Sequence, residues 1–186
     1  SVGTGPKGVK VKCHDHISPL NLQQAVANSC NAYFCYVFRD IMDNPKYGGA
    51  MKGGYDNWAN YVRSFGFGGK LGSDFAAEMG GFVPDKKFYD NYYPRWNSLT
   101  VISMAIGQGE LGCSPLQMAN LAAIVANRGY YYPPHIIKHI EGRDSIDARF
   151  YERHYTMVDS VNFVPIVEGM WRGVNVWGTS GGARLE

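Results

Sequence analysis

The apolar positions of this chain change period along its length, and the changes mark out its elements. From Asn21 the set Leu22, Ala25 and Val26 follows the i, i+3, i+4 rule of an amphipathic helix. Asn21 and Gln24 are spaced as the cap and the third helical residue of a capping box. A second set, Phe34, Val37, Phe38 and Ile41, obeys the same rule, but at about 100° per residue its stripe is turned roughly 120° from the first. The pattern therefore predicts two helices broken at Ser29-Cys30-Asn31. Ser and Asn suit such a turn because their side chains satisfy exposed backbone groups.

Residues 44–54 hold Pro45 and four glycines and predict a loop, after which Trp58, Tyr61, Val62 and Phe65 resume helical spacing. Residues 66–72 end that helix. Residues 73–97 keep no sustained period and contain Pro84 and Pro94, which predicts long connecting loops with short strands at most. The clearest helix opens at Ser114-Pro115-Leu116-Gln117, with Ser as cap, Pro at the first helical position and Gln three residues after the cap. It should end near Gly129. Its small apolar set Leu116, Ala119, Ala122, Ala123, Val125 and Ala126 predicts burial between other elements. A short strand is expected over residues 135–140 and a last helix over 158–176, containing Val161, Val164, Val167 and Trp171. The result is a mainly α chain with minor β.

At 186 residues, the chain has room for one domain with a core, and 45% hydrophobic against 18% charged residues places it among globular sequences. The formal charge of +2 comes from 18 basic and 16 acidic residues scattered along the length, with no basic run to follow a phosphate backbone, so nucleic acid is not expected as a partner. No stretch reaches the roughly 20 apolar residues of a membrane span, and no secretory leader is present. The cysteines Cys13, Cys30, Cys35 and Cys113 are too few for a disulfide scaffold and show no CxxC spacing. Leu185-Glu186 reads as a cloning scar behind a domain occupying residues 1–184.

Three groups carry candidate chemistry: Cys13-His14-Asp15-His16, Ser29-Cys30-Asn31 and Gly107-Gln108-Gly109-Glu110. Each also has a structural reading. Ser and Asn at a helix junction serve as caps, and a Gly-Gln-Gly turn exploits the positive φ of glycine. The Cys and His cluster has zinc-type donors, yet neighbours on an extended chain point to opposite faces, so Cys13 and only one of His14 and His16 fit together easily. With Cys30 they could bind zinc, or Cys13 and Cys30 could form a disulfide. No metal and no cofactor is assigned.

The order of the segments adds to this. Residues 19–34 (PLNLQQAVANSCNAYF) resemble the surroundings of the SxN motif in class B penicillin-binding proteins. Residues 65–68 (FGFG), Glu78 with Gly80-Gly81 and Pro84, residues 106–110 (IGQGE), 114–119 (SPLQMA) and 126–129 (ANRG) follow in the order that family shows. The resemblance covers about residues 13–180 and is closest to the penicillin-binding protein 2 branch, which builds side wall during elongation.

That resemblance implies the α/β transpeptidase fold shared with serine β-lactamases, of which this chain would be the helical part, truncated. It implies a D,D-transpeptidase that cross-links peptidoglycan stem peptides through a serine acyl-enzyme and is acylated by β-lactams. The nucleophile of the family lies in SxxK and a further motif is of KTG type. Neither occurs here, so the sequence is expected to lie between them and to be inactive alone. Ser29 resembles the SxN serine, a hydroxyl that passes a proton between base and leaving group. Asn31 resembles the SxN asparagine, whose amide holds a substrate peptide bond. Cys30 matches the variable position, and residues 107–110 gain no catalytic role. The parent is expected at the periplasmic face of the inner membrane, with elongation-machinery membrane proteins as partners. An apolar sheet-facing surface left bare here would favour self-association. The competing readings are a non-catalytic cell-wall scaffold module and a serine β-lactamase or β-lactam sensor.

Overall fold

The computed structural model describes residues 10–47, 51–143 and 145–185. The chain forms two compact units, one from residues 1–58, 85–109 and 162–186, the other from 59–84 and 110–161. The helices are α1 (Leu22–Ala27), α2 (Asn31–Asp43), α3 (Met51–Ser64), α4 (Lys86–Tyr92), α5 (Pro115–Ala126) and α6 (Val164–Asn175), and the strands β1 (Tyr130–Tyr131) and β2 (His154–Tyr155). The mainly helical reading holds. No helix among the described residues is long and apolar enough to cross a membrane. Of the first twelve residues, read as a loop, 10–12 have no regular structure and the rest lie outside the described residues.

In the first unit the expected capping box starts α1: Asn21 Oδ1 accepts from Gln24 N at 2.9 Å, and Gln24 Oε1 accepts from Asn21 N at 3.0 Å. Aromatic rings fill the core. Tyr55 of α3 meets Tyr89 of α4 and Trp96 edge to face at 5.4 and 5.3 Å, and both phenols point at Met104 Sδ, at 3.7 and 3.3 Å. Rings in such pairs gain from their quadrupoles as well as from buried area. α6 lies against α1 through a glycine stripe. A Cβ on Gly169 would come within 2.7 Å of Val26 Cβ and 2.8 Å of Gln23 O, so glycine is what lets the helices meet this closely. The opposite side of α6 leaves Val164 and Trp171 exposed.

The second unit is organised by one amide. Gln117, 1% exposed on α5, donates through Nε2 to the carbonyls of Gly66, Gly69 and Gly80 at 2.8, 3.0 and 2.7 Å. Its Oε1 accepts from Ser114 N at 3.0 Å, which also closes the capping box of α5. The loop below is held by Glu78, which accepts from the backbone of Leu71 and from Ser73 N and Oγ. β1 and β2 pair antiparallel, Tyr130 opposite Tyr155 and Tyr131 opposite His154.

Four expectations need correction. α3 begins inside the stretch read as a glycine loop: Gly54 sits in the helix because a Cβ there would approach Met42 O to 2.7 Å. α4 lies within the stretch read as loops, started by Asp85 accepting from Phe88 N. The strand expected over 135–140 is absent, and the pairing occurs at 130–131 instead. On α5 the buried stripe is Gln117, Asn120 and Ile124, while Ala119, Ala122, Ala123 and Ala126 are exposed. Gln117 turns inward because backbone carbonyls there need donors.

Replacing Gln117 by Leu keeps the volume and removes the donors. The Gln117→Leu variant should lose about 3 kcal/mol or more, since several buried carbonyls are left unpaired. Urea unfolding followed by tyrosine fluorescence measures it, and a loss below about 1 kcal/mol would contradict the organising role.

Candidate active site at the turn between α1 and α2

Ser29 occupies a conformation that an L-residue adopts only at a cost. Asn28 caps α1, and Ser29 follows with φ of 50°. Ser29 N donates to Val26 O at 3.1 Å and Cys30 N to Ala25 O at 2.9 Å, the two hydrogen bonds of a Schellman motif with Ser29 at the left-handed position. Glycine is usual there, and a non-glycine residue costs about 1 kcal/mol or more. The next residue, Cys30, already caps α2, its Sγ accepting from Tyr33 N at 3.4 Å. One turn thus ends a helix and begins the next with no residue to spare.

The motif recurs at the end of α5, where Arg128 has φ of 61°. There the guanidinium returns to cap Val125 O and Ala126 O at 2.7 and 3.0 Å, which offsets the strain. Ser29 has no such compensation. Its side chain is exposed, and its hydroxyl makes no hydrogen bond among the described residues. Asn31, the first residue of α2, is half-buried, and its Nδ2 donates to Lys12 O at 3.0 Å. That bond ties residues 10–13 to the turn and engages part of the amide whose donors and acceptor the sequence had offered to a ligand.

Beneath the turn a donor cluster forms. Cys13 Sγ, a ring nitrogen of His16 and Cys30 Sγ all lie within 4.8 Å of one another, with the sulfurs 3.6 Å apart. Cys13 Sγ also accepts from Ala32 N at 3.1 Å. His16 Nδ1 is 3.2 Å from Ile17 O, so Nδ1 carries the proton and Nε2 presents its lone pair. That Nε2 is buried and has no hydrogen-bond partner among the described residues. Burial pushes the Cys30 thiol up from its usual range. Two sulfurs and one imidazole are three of the four ligands of a tetrahedral zinc site, and a cation there would both pair the orphaned nitrogen and reverse the effect of burial on the thiol.

Of the residues singled out in the sequence, Cys13, His16, Cys30, Ser29 and Asn31 are therefore brought together, whereas His14 is exposed and outside the cluster. Residues 107–110 make a turn with Gly107 at φ 69° and Gly109 at φ 77°, Gln108 N donating to Ser103 O at 3.1 Å. An open cavity of about 500 Å³ adjoins the cluster, lined by Asp15, His16, Leu20, Gln24, Asn28 and Trp177 among others. Asn28 and Trp177 had no signal in the sequence: the first reads as a cap, and the second lies far along the chain.

Comparison with known proteins gives a consistent picture. The family model described as the penicillin binding protein transpeptidase domain matches residues 4–173. The chain is 31% identical to the peptidoglycan D,D-transpeptidase MrdA of Acinetobacter baumannii over 70% of its own length and 18% of that protein. It is 32% identical to MrdA of Haemophilus influenzae over 66% of its length and 17% of that protein. The chain thus spans less than a fifth of these curated relatives. Among solved structures, Pseudomonas aeruginosa PBP2 in complex with WCK 5153 superposes with a TM-score of 0.70 at 25% identity, covering 89% of this chain and 36% of that one. PBP3 from Mycobacterium tuberculosis, complexed with aztreonam, gives 0.71 at 21% identity, with 96% and 37% covered.

Two measurements check the site. Ser29→Gly should stabilise the protein by about 0.5–1 kcal/mol, the relieved left-handed strain less the added freedom of the unfolded chain. A glycine variant less stable than wild type in urea would contradict the strain. Protein purified without chelator should carry about one zinc ion per chain, and Cys13→Ser should lose it. Metal analysis with a thiol count decides: four reactive thiols without metal contradict the site, and loss of two thiols without metal marks a Cys13–Cys30 disulfide instead.

Proposed function

The chain belongs to the penicillin-binding protein transpeptidase family, and from that premise we propose that it is part of a peptidoglycan D,D-transpeptidase of the penicillin-binding protein 2 type. The observation that carries the site assignment is the position of Ser29, strained, exposed and without a hydroxyl hydrogen bond among the described residues, in the turn that also holds Asn31. In this reading a serine nucleophile from an SxxK motif attacks the carbonyl of a donor stem peptide. An acyl-enzyme forms as the leaving amine takes a proton, and an acceptor amine then displaces the serine. No serine of the sequence is followed three residues later by lysine and no KTG occurs, so the rest of the protein supplies both.

Ser29 acts in the proton path. A hydroxyl donates and accepts at once, so it can hand the nucleophile's proton to the leaving nitrogen without gaining net charge. The left-handed backbone turns this side chain out of the helix line, where a helical serine would fold back on a carbonyl of its own helix. Asn31, held by Lys12 O through one N–H, keeps its carbonyl oxygen and second N–H for the peptide bond of the substrate or the side-chain amide of a β-lactam.

The same proposal covers partners and location. One structural neighbour is a complex between PBP2 and MreC from Helicobacter pylori, and another is described as a peptidoglycan synthase complex. These support cell-wall assembly proteins as partners; stem peptides as substrate and work at the periplasmic face of the inner membrane are part of the same proposal.

In the full-length protein, Ser29→Ala should lower the rate of acylation by a fluorescent penicillin by roughly 10² to 10⁴, the usual worth of positioned proton transfer. The 186-residue chain alone should not be labelled. Wild-type acylation by the Ser29→Ala protein, or stoichiometric labelling of the 186-residue chain, would show that the active site lies elsewhere. Rapid loss of the label from the full-length protein would favour a β-lactamase.

A further inference from the structure

The turn that carries Ser29 depends on a hydrogen bond from far along the chain. The last carbonyls of a helix have no donors within the helix and must find others. At the end of α1 the turn itself supplies most of them: Asn28 N and Nδ2 each donate to Gln24 O at 2.9 Å, Cys30 N to Ala25 O at 2.9 Å and Ser29 N to Val26 O at 3.1 Å. Ala27 O, the last carbonyl of α1, accepts instead from Thr179 N at 3.0 Å, in the segment that follows α6. Ala27 is buried, and a buried carbonyl needs a donor. Ser180 N donates to Gly173 O of α6 at 3.0 Å, so the same segment is fastened to both helices.

Only a residue without a side chain allows that approach. A Cβ on Gly178 would lie 2.2 Å from Gly173 Cα, 2.4 Å from Ala27 O and 2.7 Å from Gly173 O. All three are backbone atoms, so no side chain can rotate out of the way. With any other residue at 178 the segment would have to withdraw by about 1 Å to reach carbon contact distances of ~3.5 Å, and Thr179 N would leave Ala27 O. Asn28 shares the peptide of that carbonyl and leads directly into Ser29, so a shift there reorients the Ser29 side chain. α1 has only six residues and cannot hold its own end against the shift. We propose that Gly178 is a positioning residue for the acylation step: it lets Thr179 N hold the Ala27 carbonyl, and through that carbonyl the direction of the Ser29 hydroxyl. This rests on the reading of Ser29 as part of the proton path.

The test is a double-mutant cycle on the full-length protein, read as the rate of acylation by a fluorescent penicillin. Gly178→Ala should slow acylation about 10- to 100-fold, the usual effect of displacing a reacting group by about 1 Å. Thr179→Pro, which removes the donor without adding bulk at 178, should act in the same direction. In the Ser29→Ala background each change should cost about twofold or less, because a hydroxyl that is absent cannot be misplaced. A purely structural role would slow both backgrounds equally. Cooperative urea unfolding identifies which variants are folded, and either one suffices for the cycle. Equal losses with and without the Ser29 hydroxyl, or wild-type acylation by Gly178→Ala and Thr179→Pro, overturn the positioning role alone. Wild-type acylation by Ser29→Ala itself overturns the catalytic reading, and the positioning role with it.

Discussion

A single left-handed residue, Ser29, decides how the two helices of the site meet. Its positive φ lets Ser29 N and Cys30 N return to carbonyls of α1, and it points the chain so that Cys30 can cap α2 at once. A right-handed residue at this position would continue α1, and the stripe of Phe38 and Cys35 on α2 would leave the core. The cost falls on the residue whose hydroxyl is left exposed. Arg128 shows that the same backbone turn can be compensated by its own side chain, whereas the Ser29 hydroxyl makes no hydrogen bond among the described residues.

The turn is held from below. Asn31 Nδ2 on Lys12 O and Ala32 N on Cys13 Sγ pin residues 12 and 13 to the start of α2, and the sulfurs and His16 then converge under Cys30. From the other side, Gly169 and Gly173 allow α6 to press on α1, and Thr179 N donates to Ala27 O at 3.0 Å. α1 has six residues, too few to be stable alone, so the position of Ser29 is inherited from these tertiary contacts.

What the sequence made legible was local. The capping boxes at Asn21–Gln24 and Ser114–Gln117 and the break at residues 29–31 all depend on groups three or four residues apart, and a single sequence contains that information. The misread elements depend on distant partners. α3 carries Gly54 in its first turn because α2 backbone lies against it, and α5 buries Gln117 rather than its alanines because carbonyls far away in sequence need donors. Nor could the period reveal β1 and β2, since two-residue strands are too short to show alternation. The convergence of Cys13, His16 and Cys30 was foreseeable as chemistry, and the choice of His16 over His14 was not, because it turns on which imidazole is anchored by Ile17 O.

The central claim is that the strained turn presents Ser29 and Asn31 to the reacting group. A crystal structure of the full-length protein acylated by a β-lactam tests it most directly. The account predicts Ser29 Oγ within about 3.2 Å of the drug's ring nitrogen or of the acylated serine, Asn31 hydrogen-bonded to the drug's side-chain amide, and Ser29 still left-handed. A drug bound out of reach of both side chains, or a Ser29 relaxed to negative φ in the acylated protein, would contradict it.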